Sequence, residues 1–105
     1  MPKMTLIQAI NDALKVAMRR DPNVLILGED VGVNGGVFRA TDGIYKEFGE
    51  ERAIDTPLAE SGFVGAAAGM AVYGLRPVVE IQFDGLLAPA HEHVVNHIAR
   101  IRHRS

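Results

Sequence analysis

Cysteine is absent from these 105 residues, which excludes a disulfide framework, a thiolate nucleophile and any sulfur-ligated metal. A reducing compartment is thereby permitted, and a cytoplasmic location is expected. Strong charge of one sign is also missing. The formal net charge is −2, too weak a field to demand nucleic acid or an anionic membrane as partner. Arg100, Arg102, His103 and Arg104 make the C-terminal end locally basic, as suits the last turn of a helix. The longest weakly polar stretch, Gly62 to Leu75, has fourteen residues, whereas a membrane helix needs roughly 20. Met1-Pro2-Lys3-Met4 lacks the apolar core of a signal peptide, and no internal repeat or low-complexity tract occurs. What remains, 48% apolar and 23% charged residues, is the balance of an ordinary soluble globular chain of one domain.

Leu6, Ala9, Ile10, Ala13, Leu14, Ala17 and Met18 recur at three- and four-residue steps, so a first helix is expected from Thr5 to Arg20. Thr5 and Gln8 fit a capping box, and Asp21-Pro22-Asn23 is a stop. Val24-Leu25-Ile26-Leu27 is continuously apolar and branched, the pattern of a strand buried on both faces, and it ends at Gly28-Glu29-Asp30. A glycine-bearing loop follows over 31–40, then a short helix over 42–48 closed by Gly49. Arg52 to Asp55 reads as a second strand. Thr56-Pro57 is expected to open a helix running through Tyr73 to a stop at Gly74. Pro77 to Ile81 reads as a third strand, and a helical period resumes from Pro89 to Arg102. Strands alternating with helices predict an α/β fold, a parallel sheet with flanking helices, whose ligands bind outside the carboxyl ends of the strands. Those ends carry Glu29, the Leu58-Ala59-Glu60 turn and Gln82.

Glu60 stands beside the N-terminus of a helix whose next residues include Gly62, Gly65, Ala66 and Gly69, where backbone lets another molecule approach closely. One reading makes it a complement to the helix dipole, worth about 0.3–1 kcal/mol. A capping box from Thr56 would place the acid at position 59, which is Ala59, so the Glu60 side chain is equally open to other work. The Gly65-x-x-x-Gly69 spacing suggests close packing against another backbone, within or between chains. The glycines at 28, 32, 35 and 36 lack both the G-x-G-x-x-G and the Gly-Lys-Ser/Thr patterns, and read as a surface loop using glycine for positive φ. His93 and His97 share a helix face as two zinc ligands can, but no carboxylate completes a set, and both are expected on the polar face with Arg100 and Arg104 while His91 turns toward Val94 and Val95. No metal site is expected. Ser61 and Ser105 are poor nucleophile candidates.

The segments Thr5-Leu6-Ile7-Gln8-Ala9-Ile10-Asn11, Gly28-Glu29-Asp30-Val31-Gly32, Gly35-Gly36-Val37-Phe38, Asp55-Thr56-Pro57-Leu58-Ala59-Glu60, Gly74-Leu75-Arg76-Pro77-Val78 and Glu80-Ile81-Gln82-Phe83 are familiar in this order. Together they resemble the beta subunit of the thiamine-diphosphate-dependent 2-oxo acid dehydrogenase component, of the pyruvate and branched-chain type. The likeness covers essentially the whole chain. It implies an incomplete, transketolase-like pyrimidine-binding domain, residues 1–105 being its N-terminal part with the family's C-terminal domain absent.

The resemblance further implies a thiamine diphosphate site between chains, with magnesium held mainly by an alpha subunit in an α2β2 assembly. Glu29, Leu58, Ala59, Glu60 and Gln82 would contact the cofactor, and Phe83, Asp84, Gly85 and Leu86 would lie near pyrimidine and substrate. Glu60 would share a proton with the pyrimidine ring nitrogen, a role that burial favours and the helix N-terminus opposes. The implied reaction is oxidative decarboxylation of a 2-oxo acid with acyl transfer to the lipoyl arm of an acyltransferase. The chain departs from the family at Leu86, where an aromatic residue is usual. The equivalent domain of a transketolase or deoxyxylulose-phosphate synthase shares the acid and the Gly-Leu-Arg-Pro turn, but Gly28 to Gly32 and Glu80 to Phe83 argue against it. A non-catalytic piece that folds or dimerises through its glycine-rich helix is the alternative of a different class.

Overall fold

The computed structural model describes residues 3–104, with the Asp84 and Arg104 side chains outside that description. Met1, Pro2 and Ser105 also lie outside it. The first helix, α1 (Leu6–Arg20), begins as its sequence signals require. The Thr5 hydroxyl accepts from the Gln8 N–H at 3.1 Å, and the Gln8 side chain accepts from the Thr5 N–H at 2.9 Å. Strand β1 (Val24–Gly28) is buried throughout. It is followed by a loop, α2 (Ile44–Phe48), β2 (Ala53–Asp55), α3 (Glu60–Val72) and β3 (Arg76–Glu80). The three strands are parallel in the order β2-β1-β3, an α/β sheet with flanking helices as expected.

β1 organises two cores because consecutive strand residues point to opposite faces. Val24 and Ile26 pack with Met18, Val31, Ile44 and Ala53 on the side of α1 and α2. Leu25 and Leu27 pack with Phe63, Val64, Ala67 and Ala90 on the side of α3. The chain leaves β1 for one neighbour with α2 on one face, then crosses to the other neighbour with α3 on the opposite face. That reversal makes the carboxyl end of β1 a topological switch point, where open α/β sheets bind ligands.

Several boundaries differ from the sequence expectation. α3 starts at Glu60 rather than at Thr56-Pro57. The Thr56 N–H still donates to the Gly28 carbonyl at 3.0 Å, prolonging the ladder, and a residue before proline is held in extended backbone. β3 starts one residue early because the Arg76 N–H donates to the Asn23 carbonyl at 2.9 Å. The expected continuous helix over 89–102 is broken into a 3-10 segment (Asp84–Ala90), a π-helical segment (His93–Ile98) and a final turn, α4 (Ile101–Arg104). Pro89 supplies no N–H to an α-helical ladder, and the Ala99 N–H reaches back to the Val94 carbonyl at 3.1 Å, the wider π spacing. The two glycines of the Gly65-x-x-x-Gly69 pair also behave differently. A Cβ on Gly65 would lie 3.2 Å from the His93 ring, whereas none of the described residues comes within 4 Å at Gly69.

Arg52 ties the amino-terminal edge together. Its guanidinium donates to the carbonyls of Met18 at 2.6 Å, Asp21 at 2.9 Å and Val24 at 2.8 Å, and sits 4.8 Å from the Phe48 ring centroid. Those carbonyls belong to the end of α1 and the start of β1, which lack helical partners. Replacing Arg52 by Ala is expected to lower unfolding stability by about 2 kcal/mol or more, and Lys, which lacks the planar fork, to restore little of it. Urea denaturation of both variants against the parent chain measures this.

Candidate functional site

At the end of β1 the backbone of Gly28 runs against β3, and a Cβ there would lie 2.8 Å from the Glu80 carbonyl oxygen. Only glycine permits that approach. The next residue, Glu29, is 6% exposed, and Glu60, in the first turn of α3, is 5% exposed. Their carboxyl groups face each other within hydrogen-bonding reach. No N–H or hydroxyl among the described residues serves either oxygen of Glu29 or Oε2 of Glu60. Two carboxyls in that position satisfy each other only by holding a proton between them. Burial first, and then the facing Glu60 carboxyl, push the Glu29 carboxyl up to about 7. Asp30 and Glu80 add to that rise.

The third strand end contributes Gln82, whose amide donates to the Glu29 backbone carbonyl at 3.2 Å. The structure thus brings Glu29, Glu60 and Gln82 together. Leu58 and Ala59 flank Glu60 in sequence but are exposed, Leu58 by 72%. Phe83 is half-exposed and meets Phe38 edge to face, with ring centroids 5.6 Å apart. Gly85 is exposed and Leu86 half-buried. The Asp84 side chain lies outside the described residues.

The glycine loop is drawn in by an acid rather than left open. Asp55, at the end of β2, accepts from the N–H groups of Gly32 at 2.7 Å and Val33 at 3.2 Å. A carboxylate therefore fills the backbone donors that an anion would use. Gly35 and Gly36 have φ of 74° and 85°, the positive values expected of them. Asp30, with φ of 58°, joins them in the left-handed region and accepts from the Gly36 N–H at 2.7 Å. Sequence reasoning missed Asp55 as the anchor of this loop, although an acid ending a strand was the available signal. It also missed Glu80, which closes β3, and Phe38, the partner of Phe83.

The histidines are placed differently from expectation. His93 is not on the polar face: its ring lies over Gly65 of α3, and the π turn lets Val94 reach the same side. The His97 ring lies tilted against that of His93, with centroids 5.3 Å apart, and has Glu92 at 3.9 Å. Among the described residues no group of three or more His, Asp or Glu is arranged to hold a metal ion, and no helix is long and apolar enough to cross a membrane.

Comparison with known proteins agrees with this geometry. Residues 2–105 match the family model described as transketolase, pyrimidine binding domain. The pyruvate dehydrogenase E1 component subunit beta of Staphylococcus epidermidis is 61% identical over 105 residues, which is 100% of this chain and 32% of the relative. The subunit of the same name from Staphylococcus aureus is 59% identical over the same span, again 32% of its length. This chain therefore spans about a third of the curated relatives it matches. With the family model matching nearly every residue, and with a buried acid pair at the carboxyl edge of a parallel sheet, the chain belongs to the transketolase pyrimidine-binding domain family.

Proposed function

We propose that this chain is part of the beta subunit of a pyruvate dehydrogenase component and forms the pyrimidine-facing half of a thiamine diphosphate site. The observation that carries this reading is the Glu29–Glu60 pair, buried at a topological switch point with three oxygen atoms that have no donor. Such atoms suit a ring nitrogen and an exocyclic amine, which supply the donors the chain lacks, so the residues present fit the pyrimidine. When bound, thiamine diphosphate supplies the thiazolium carbon that adds to the 2-oxo acid and accepts the electrons released with carbon dioxide.

The chain's own residues bind, orient and hold a proton. Glu29 and Glu60 keep one proton between them, and Glu60, in the first turn of α3, is the acid that exchanges a proton with the ring nitrogen. Gln82 holds the Glu29 backbone in place, and Leu58 and Ala59 offer apolar surface beside the acid. Phe83, Gly85 and Leu86 lie on the substrate side, with Phe38 packed edge to face on Phe83. Diphosphate and magnesium contacts come mainly from an alpha subunit, in a cytoplasmic α2β2 assembly that passes its acyl group to a lipoyl-bearing acyltransferase. Pyruvate is the favoured substrate over branched-chain 2-oxo acids, because the relatives named above are pyruvate dehydrogenase subunits.

Isothermal titration with thiamine diphosphate and magnesium should give binding heat when an alpha subunit is present. Absence of heat with and without that subunit would leave only a non-catalytic role. In the chain carried on to the relatives' full length and assembled with an alpha subunit, Glu60→Gln should lower turnover by about 10²–10⁴-fold while circular dichroism stays unchanged. Near-normal turnover would remove Glu60 from the mechanism.

The acid pair also predicts a pH dependence. Because Glu29 titrates near 7 in the folded chain against 4.5 for an ordinary glutamate, the folded state binds the extra proton between those values. Its contribution to stability is therefore greatest in acid and declines as pH rises from about 4.5 to about 7. Urea midpoints across that window should fall more steeply for the parent than for Glu29→Gln, and Glu60→Gln should lower the Glu29 midpoint in a carboxyl NMR titration. Parallel slopes and an unmoved midpoint would contradict the shared proton.

A further inference from the structure

The loop after β1 carries the chain's only asparagine followed by glycine, Asn34-Gly35. Glycine has no side chain to screen its backbone nitrogen, so that nitrogen can approach the carboxamide carbon of the residue before it. The other asparagines, Asn11, Asn23 and Asn96, precede Asp12, Val24 and His97, whose side chains crowd the same approach. They are also placed differently. Asn11 lies within α1 with its amide donating to the Ala40 and Asp42 carbonyls, Asn96 lies within the π-helical segment, and the Val24 N–H is taken up by the Asp21 carbonyl at 3.2 Å. Asn34 is exposed and belongs to neither helix nor strand.

Three contacts around Asn34 bear on its reactivity. Arg39 donates to the Asn34 backbone carbonyl, drawing electrons from the peptide whose nitrogen attacks and making its N–H easier to deprotonate. The other two hold the pair back: Asn34 Nδ2 donates to Asp30 Oδ1 at 3.2 Å, and the Gly35 N–H donates to the Gly32 carbonyl at 3.1 Å. From this arrangement we propose that Asn34 is a site of spontaneous deamidation, restrained while the loop is closed and released when those two bonds open. The Gly35 nitrogen, its proton lost to solvent, forms a bond to Cγ of Asn34 as the bond from Cγ to Nδ2 breaks and ammonia leaves. Water then opens the cyclic imide at either carbonyl, giving aspartate or isoaspartate in place of Asn34. Either product sets a second carboxylate against Asp30 where an amide donor stood, so the restraining bond cannot re-form and like charges push the loop apart. The change is one-way, and it falls in the loop that leaves β1 directly after Glu29. It does not depend on the thiamine reading.

Incubating the 105-residue chain at neutral pH in water carrying heavy oxygen, followed by peptide mass spectrometry, tests this directly. Label is expected at position 34, as aspartate and isoaspartate, ahead of Asn11, Asn23 and Asn96. Asp30→Gly removes one restraining bond while tolerating the left-handed backbone there, where φ is 58°, and should speed conversion by about three- to tenfold. Asn34→Asp, which sets the product in place, should speed amide exchange at Gly35 and Gly36 by about three- to tenfold. Backbone spectra establish that each variant is folded before it is measured. Label entering Asn34 no faster than the other asparagines, equal conversion in Asp30→Gly and the parent, or unchanged exchange in Asn34→Asp would each overturn the proposal.

Discussion

Two carboxyl groups brought face to face away from water, with no donor among the described residues to three of their oxygens, are what the rest of this structure has to accommodate. The arrangement is unfavourable unless one proton is held between them, because like charges at that separation oppose each other and burial penalises both. Keeping them there takes several independent supports. β1 is buried on both faces, which fixes where Glu29 emerges. The close pass of Gly28 over the Glu80 carbonyl draws β1 and β3 together at that end. Thr56 prolongs the sheet ladder and Pro57 delays the helix, so that Glu60 falls in its first turn.

The surroundings of the pair are stiff for identifiable reasons. Asp55 pins the glycine loop by two backbone N–H groups, and Gly32 is crowded there, its Cβ position lying 2.8 Å from the Asp55 carboxylate. Asn11 of α1 reaches across to the carbonyls of Ala40 at 3.0 Å and Asp42 at 2.9 Å. The loop after β1 is therefore held from both the sheet and the helix. A site that must keep two acids in register gains from supports of this kind, since their geometry sets how a proton is shared.

The alternation of strands and helices, the capping box at Thr5 and the buried strand at Val24 were legible in the sequence because each rests on local pattern. Gathering Glu29, Glu60 and Gln82 at one edge was legible too, since parallel topology alone carries strand ends to the same side. Other features depend on contacts that no local pattern records. The late start of α3 follows from a hydrogen bond to Gly28, far away in sequence. The π turn at His93 follows packing on Gly65, which the 3.6-residue periodicity of the segment conceals. Glu80 reads in sequence as an unremarkable strand residue. Its unpartnered oxygen becomes visible only when β3 is set beside the loop that carries Thr41.

The single strand β1 thus separates two different electrostatic problems. On the α3 side, Glu29 is compensated by another acid, so a shared proton is the only internal solution and a donor from outside is an alternative one. On the α1 side, burial raises the partly exposed Glu80 carboxyl, which in turn adds to the rise at Glu29. A parallel sheet makes this division unavoidable, because neighbouring positions on a strand point to opposite faces. Gly28 and Glu29 at the end of β1, like Glu80 and Ile81 at the end of β3, divide polar from apolar work by one residue of register. A slip of one position would exchange the two faces and take the acid pair apart.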